Sequence, residues 1–235
     1  MMTSRASWWT GKLCMAPSRI NALPYVTLVG AMSVDGKIST RTGDSAISSS
    51  EDLKSLHRLR SRHDAVMIGV GTLIHDNPIL TVRHVRGKSP IRVIVDDSAQ
   101  TPPPSRMLID HGPPVIVATA RRAPRERVQK LRQAGATVLQ LGRDHVSLRT
   151  LLIHLHHLGI RRILLEGGGK MNWSMISNRL VDTIKLTVPP IIIGGTCATT
   201  LVDGEGVAKI NQAIRLTLLS TRRHGKDLVL SYKVK

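Results

Sequence analysis

Apolar residues along this chain fall into short runs divided by polar, glycine-rich or proline-rich breaks, and the spacing inside each run separates strands from helices. The stretch 25–32 reads as an apolar strand, and the Asp35-Gly36 pair after it is a turn signal ahead of Lys37-Ile38-Ser39. Ser48 with Glu51, or Ser49 with Asp52, has the spacing of a capping box, and Leu53, Leu56 and Leu59 then recur at helical intervals. That pattern predicts a helix over about 50–62.

A short strand over 65–69 leads into Gly69-Val70-Gly71-Thr72, which reads as a connecting loop closed by Asp76-Asn77-Pro78. Strand 91–95 ends at Asp96-Asp97, and prolines 102–104 mark a loop. Beyond it come a strand at 115–119, a helix opened by Pro124, a strand at 137–141, a helix at 148–158 and a strand at 163–165. Gly167-Gly168-Gly169 precedes a helix over about 171–180, followed by strands at 183–188 and 191–193. The segments 214–220 and 228–234 flank His224-Gly225-Lys226 as an antiparallel hairpin at a sheet edge. Alternating strands and helices predict an α/β fold with a mostly parallel central sheet flanked by helices. No internal repeat is visible, so 24–235 reads as one domain. Residues 1–23 hold no acidic side chain and no sustained period, and read as an extension that is mobile or docks late, with Met2 or Met15 as alternative starts.

Composition narrows the class. At 235 residues and 41% hydrophobic content the chain is long enough for a sizeable core and too apolar for disorder. It has three Trp, two Tyr and no Phe, so Val, Ile and Leu must fill that core, as suits buried parallel strands. The apolar runs around 115–117 and 191–193 are far short of a membrane span, and no secretory leader is evident near Arg5 and Lys12. Two cysteines, Cys14 and Cys197, build neither a disulfide framework nor a thiolate zinc site, which fits a reducing, cytoplasmic setting. His154, His156 and His157 do not share one helix face and have no acid among them, so no metal site is expected.

Several clusters carry candidate chemistry. Leu164-Leu165-Glu166-Gly167-Gly168-Gly169-Lys170 ends a strand in an acid and opens a helix with three glycines, whose backbone N–H groups can approach an anion closely. It matches neither the dinucleotide fingerprint nor the mononucleotide loop, since Asn172 and Met171 stand where those need glycine and a hydroxyl. A tight strand-to-helix turn explains it equally well. Gly69 to Pro78 and the Ser33–Asp35 pair are further candidates, each of which reads just as simply as a turn. The 34 Lys and Arg against 16 Asp and Glu give +18, in basic clusters at 58–62, 83–92, 121–127 and 222–226 that read mostly as solvated faces. Arg60 and Arg83 flank the polar loops and suit anion contacts.

Taken jointly, Ser33-Val34-Asp35-Gly36-Lys37, Gly43-Asp44-Ser45, Gly69-Val70-Gly71-Thr72 with Asp76-Asn77-Pro78, Pro90 to Asp96, Glu166-Gly167-Gly168-Gly169 and Gly194-Gly195 resemble the riboflavin-biosynthesis reductase family in order and spacing. The likeness spans about 24–235 and is strongest to the stand-alone archaeal 2,5-diamino-6-ribosylamino-4(3H)-pyrimidinone 5′-phosphate reductases, extending to Asn172-Trp173 and Val202 to Gly206. It implies a dihydrofolate-reductase-like fold, a homodimer, NADPH as hydride donor with NADH left open, and reduction of the ribosylamino sugar at C1′ to a ribitylamino chain. By the same resemblance Thr72 and Asp76 meet the cofactor, Gly167, Gly168, Gly169 and Lys170 surround its phosphates, and Ala31, Ile47 and Asp97 lie along its nicotinamide and ribose side. Ser45, Arg60, Leu80, Arg83 and Glu166 face the phosphorylated pyrimidine substrate, with Glu166 as the catalytic candidate that orients it and relays a proton. Val29 and the 41–43 stretch depart from the family's pattern. The zinc-deaminase motifs fused to this reductase in many bacteria are absent from the chain.

Two other readings remain at this stage. The substrate could be the deaminated pyrimidinedione, which the residues discriminate weakly. The +18 charge also permits a nucleic-acid-binding protein, against which five aromatics, two of them in the first 23 residues, offer little base stacking.

Overall fold

The computed structural model describes residues 22–235; the expected extension over 1–23, and Cys14 with it, lies almost wholly outside the described residues. Within them the chain runs β1 (Tyr25–Ala31), α1 (Ser50–Ser61), β2 (Ala65–Gly69), α2 (Val70–Asp76), β3 (Ile91–Val95), α3 (Arg106–Ile109), β4 (Val115–Thr119), α4 (Arg125–Gln133), β5 (Thr137–Gln140), α5 (Leu148–His157), β6 (Arg162–Leu165), α6 (Gly169–Ser177), β7 (Thr183–Val188), β8 (Leu216–His224) and β9 (Asp227–Val234). The strands form one nine-stranded sheet in the order β5-β4-β3-β2-β6-β1-β7-β9-β8, parallel from β5 to β7 and closed at one edge by the antiparallel β9–β8 hairpin.

Side chains that alternate along each strand build two separate cores, one on each face of the sheet. Ala65 and Met67 of β2, Val93 of β3 and Ile116 and Ala118 of β4 join Leu151, Leu152, Leu155 and Met175 of α5 and α6. The alternate positions, Val66, Ile68, Ile94, Val115 and Val117, pack with Leu73 of α2 and Val128 and Leu131 of α4. Burial on both faces is what makes these strands near-continuous Val, Ile and Leu runs.

Helix α1 begins where the capping spacing places it, and of the two candidate caps it is Ser49 whose hydroxyl accepts the Asp52 N–H at 3.2 Å. The same hydroxyl donates to Asp227 Oδ2 at 2.6 Å, and Asp52 Oδ1 accepts from the Thr187 hydroxyl at 2.5 Å. The start of α1 is thereby tied to β7 and β9.

Three local readings change. The run after Gly69 is helical over Val70–Asp76, because Leu73 is anchored in the second core and Asn77, at φ 39, ends the helix ahead of Pro78. Residues 191–193 form no strand. Pro189 and Pro190 interrupt the ladder, and the N–H groups of Ile193 and Gly194 go to the Asp35 carboxylate at 3.1 and 2.8 Å. Those bonds, behind that of the Ser33 hydroxyl, lower the Asp35 carboxyl to about 2, so the Ser33–Asp35 pair is a loop clasp. Arg92, grouped by sequence with solvated cations, is only 1% exposed as the second residue of β3. Its Nη1 meets Asp110 Oδ2 at 2.7 Å, and further bonds reach Ile79 O and Pro113 O.

A buried guanidinium left without its carboxylate is costly, by about 3 kcal/mol. The substitution Asp110→Ala should therefore lower the unfolding free energy by about that amount in urea titrations, while Arg92→Met, which removes the charge together with its need for a partner, should cost less. Burial acts to raise the Asp110 carboxyl, but the Arg92 bond, the Gly112 N–H and the Arg92 charge outweigh it and hold it below the usual carboxylate range. Its contribution to stability should thus be full above about pH 4 and fade as pH falls through the lowered value, a loss absent from Asp110→Ala.

Candidate active site

Parallel strands leave their carboxyl ends on one side of the sheet, where connecting loops make crevices. Here β2, β3 and β6 are neighbours, and the segments after them enclose a cleft of about 630 Å³. Its wall includes Gly71, Thr72, His75 and Asp76 after β2, Asp96, Asp97, Ser98 and Gln100 after β3, and Gly168, Gly169, Lys170 and Ser174 after β6. Gly43, Ser45, Thr199 and Asp203 close it from loops elsewhere in the chain.

The floor is the three-glycine turn. Gly167 O accepts the Gly69 N–H at 2.9 Å, and the Gly168 N–H donates to the Thr72 hydroxyl at 2.8 Å, so β2, α2 and the turn are laced together. A β-carbon on Gly168 would sit 3.1 Å from Thr72 Oγ1, and one on Gly169 would meet Thr200 O at 2.6 Å and Asp203 Oδ2 at 2.8 Å. At Gly169 only glycine allows this approach, and at Gly168 a side chain would crowd the Thr72 hydroxyl. Helix α6 then starts at Gly169 with no side-chain cap, presenting its first-turn N–H groups and positive dipole end beside Lys170. Asn172 Nδ2 donates to Leu201 O at 2.8 Å, and Trp173 lies so close over Gly204 that a β-carbon there would fall 1.9 Å from its ring. These contacts clamp the 200–206 loop onto α6. Across the cleft Gly43, at φ +91, lies against His75, whose ring a β-carbon there would displace.

Electrostatics divide the cleft. Burial holds the Asp76 carboxyl above its ordinary range, His75 offsetting part of the effect. Asp97 Oδ1 accepts the Val146 N–H and its Oδ2 meets His145 Nδ1, both at 2.8 Å; the bond and charge of Asp97 raise the exposed His145.

Beside the turn lies a second polar centre. Glu166, the last residue before the glycines, has both oxygens held by Arg60, from Nε and Nη2 at 2.7 Å each, and Arg60 Nη1 also donates to Thr81 O at 3.2 Å. Arg83 is exposed, and the charges of Arg60 and Arg106 crowd it.

Of the cofactor residues expected from sequence, Thr72, Asp76, Asp97, Gly168, Gly169 and Lys170 line this cleft, as does Ser45 of the substrate set. Gly167 lies in the turn beneath it, while Ala31, at the end of β1, and Ile47, ahead of α1, are half-buried and outside its wall. Arg60 and Glu166 are brought together, but onto each other. Leu80 is 2% exposed and packs in the second core at φ 57, so only its backbone is available to a ligand. His75, Ser98, Gln100 and Asp203 went unassigned in the sequence, because His75 falls in a glycine-rich run that reads as loop and single polar residues in loops carry no periodic signal. Asp203 alone stood in a quoted motif. Among the described residues no three metal-ligating side chains cluster, and no helix is long and apolar enough to cross a membrane.

Comparison with known proteins agrees with this architecture. The RibD C-terminal domain family matches residues 24–230. The 2,5-diamino-6-ribosylamino-4(3H)-pyrimidinone 5′-phosphate reductase of Methanothermobacter thermautotrophicus is 47% identical over 215 residues, covering 90% of this chain and 99% of that protein. Its namesake from Aquifex aeolicus is 38% identical over 216 residues, covering 90% and 96%. Among solved structures, Acinetobacter baumannii RibD superposes with a TM-score of 0.77 at 26% identity, over 91% of this chain and 58% of that longer one. The fold is thus the dihydrofolate-reductase-like α/β fold, and the chain belongs to the RibD C-terminal domain family of riboflavin-biosynthesis reductases.

Proposed function

We propose that this protein reduces the ribosylamino group of 2,5-diamino-6-ribosylamino-4(3H)-pyrimidinone 5′-phosphate to ribitylamino, with NADPH as the hydride donor. The observation that carries the reading is the uncapped start of α6, opened by glycines and joined by Lys170, forming the floor of a cleft at the strand ends. Such a floor suits the pyrophosphate of a dinucleotide. The crowding that a β-carbon at Gly168 or Gly169 would cause supports the fit, as does the open space at Gly71. Thr72, Asp76, Lys170 and the glycines would hold the cofactor, and Asp97 would face its ribose. Bound there, the reduced nicotinamide supplies the hydride.

Opening of the substrate's ribosyl ring gives an imine at C1′, and reduction there requires a hydride on carbon and a proton on nitrogen. Arg60 fixes Glu166 in one orientation through two 2.7 Å bonds. Glu166 would then accept from the ribosyl hydroxyls and relay the proton that the nitrogen takes up. Arg83, exposed beside Arg60, suits the 5′-phosphate, for which guanidinium offers bidentate bonds. A phosphorylated metabolite, a dinucleotide and an exposed free thiol at Cys197 fit a cytoplasmic setting.

A homodimer of this chain would use the hairpin edge. Leu218 and Leu219 are 54% and 55% exposed on the outermost strand, beside a register shift, and Leu216 and Leu228 are also exposed. An apolar, unpaired strand of this kind favours a second copy.

Three measurements check these assignments. Glu166→Gln should lower kcat by about a hundredfold or more in an assay of NADPH absorbance, and unchanged turnover would remove Glu166 from proton relay. Thr72→Val removes the acceptor of the Gly168 N–H while keeping the side-chain shape. It should raise the KM for NADPH about tenfold, roughly one hydrogen bond's worth, and leave the KM for the pyrimidine in place. The double substitution Leu218→Glu with Leu219→Glu should shift the protein from dimer to monomer in light scattering after gel filtration; an unaltered mass would place the interface elsewhere.

A further inference from the structure

His57 stands outside the cofactor cleft and among the groups assigned to the substrate phosphate. It lies on α1 three residues before Arg60, and so on the same helix face. Although polar it is only 2% exposed, and its Nδ1 accepts the backbone N–H of Arg83 at 2.9 Å. The His84 ring meets it edge to face, with centroids 4.5 Å apart. Burial, and after it the charges of Arg60, His84 and Arg83, lower its pKa to about 4, so the ring is neutral near pH 7 with its proton on Nε2.

The neutral ring has a definite task. The segment that carries Arg83 belongs to no helix or strand, and it is held by a series of directed bonds. Arg60 donates to Thr81 O, Ser89 Oγ accepts the Val82 N–H at 2.9 Å, His57 accepts the Arg83 N–H, and Arg83 Nη1 reaches back to Thr81 Oγ1 at 3.0 Å. The bond from His57 is the one applied at Arg83 itself. A protonated imidazole would have no lone pair for that N–H, and an aliphatic side chain would fill the space without fixing the backbone.

We infer that His57 is a positioning residue for the substrate phosphate: by accepting the Arg83 N–H through Nδ1 it sets the backbone from which the Arg83 guanidinium is aimed at the anion. This rests on the reading above that Arg83 takes the 5′-phosphate. It adds a specificity determinant that acts through Arg83 and touches neither substrate nor cofactor.

The test compares His57→Leu, His57→Gln, His57→Asn and Arg83→Ala in the full chain, with the phosphorylated substrate and the corresponding nucleoside at saturating NADPH. The Asn oxygen falls near the position of Nδ1, whereas the Gln oxygen falls near that of Nε2. His57→Leu and His57→Gln should each raise the KM for the phosphorylated substrate about tenfold, with kcat and NADPH affinity unchanged and the nucleoside's kinetics unaltered. His57→Asn should restore the wild-type KM. Equal losses on phosphorylated substrate and nucleoside, or an Asn variant as impaired as Leu and Gln, would overturn the inference, and melting temperatures identify a variant that is merely unfolded. Arg83→Ala separates the two levels. If it leaves the preference for the phosphorylated substrate intact, the assignment of Arg83 fails. If it abolishes that preference while His57→Leu and His57→Gln do not, only the role of His57 fails.

Discussion

The close approach of the Gly167–Gly169 turn to the start of α2 sets the geometry of everything around the cleft. Two hydrogen bonds, from Gly69 N–H to Gly167 O and from Gly168 N–H to the Thr72 hydroxyl, hold the carboxyl ends of β2 and β6 to one another. They also determine where α6 begins, and so where its unpaired N–H groups point. On the far side Thr200 and Asp203 press against Gly169, and Trp173 is packed over Gly204. The turn is thus enclosed between the start of α2 and the 200–204 loop. A side chain at Gly169 would displace the 200–203 segment and disturb the packing of the turn.

Charge is used in two ways in this strongly basic chain. Among the described residues two arginines are buried and matched: Arg92 within β3 with Asp110, and Arg60 beside the turn with Glu166. Such pairs return little net stability over an apolar equivalent, but they cost several kcal/mol when broken, so they hold their surroundings to one arrangement. Arg92 serves the fold. Arg60 does the same for Glu166, which directly precedes the glycine turn. The exposed pairs, Arg122 with Asp144 and Lys130 with Glu126, contribute at most fractions of a kcal/mol. Among the described residues most of the remaining Lys and Arg side chains are exposed to solvent, where a single charge adds little to stability.

Most elements were legible because they obey a periodic rule. Strands β1 to β7 announce themselves as aliphatic runs, α1 by its Ser49 cap, and the final hairpin by alternating segments around Gly225. Where a second rule competes, the reading fails. The glycines at 69 and 71 argue for loop, yet Leu73 finds a core and α2 forms. The Ile triplet at 191–193 argues for strand, yet two prolines precede it, the Ile191 N–H turns back to Pro189 O and the Ile193 N–H goes to the Asp35 carboxylate. Arg92 has the composition of a surface residue, and only the placement of Asp110 eighteen residues later makes its burial tolerable.

The sequence by itself determined the α/β class, the order of nearly every element, the glycine turn and, through motifs taken jointly, the family. Those properties depend on local periodicity and on residues adjacent in the chain. The tertiary structure decided which polar side chains meet: Arg60 with Glu166 across 106 positions, Asp97 with His145 across 48, and His57 with the Arg83 backbone across 26. It also buried Leu80 and gave the cleft the walls His75, Gln100 and Asp203. The reason is physical. A hydrogen bond between distant residues depends on where the packed sheet carries each of them, and no spacing along the chain encodes that position.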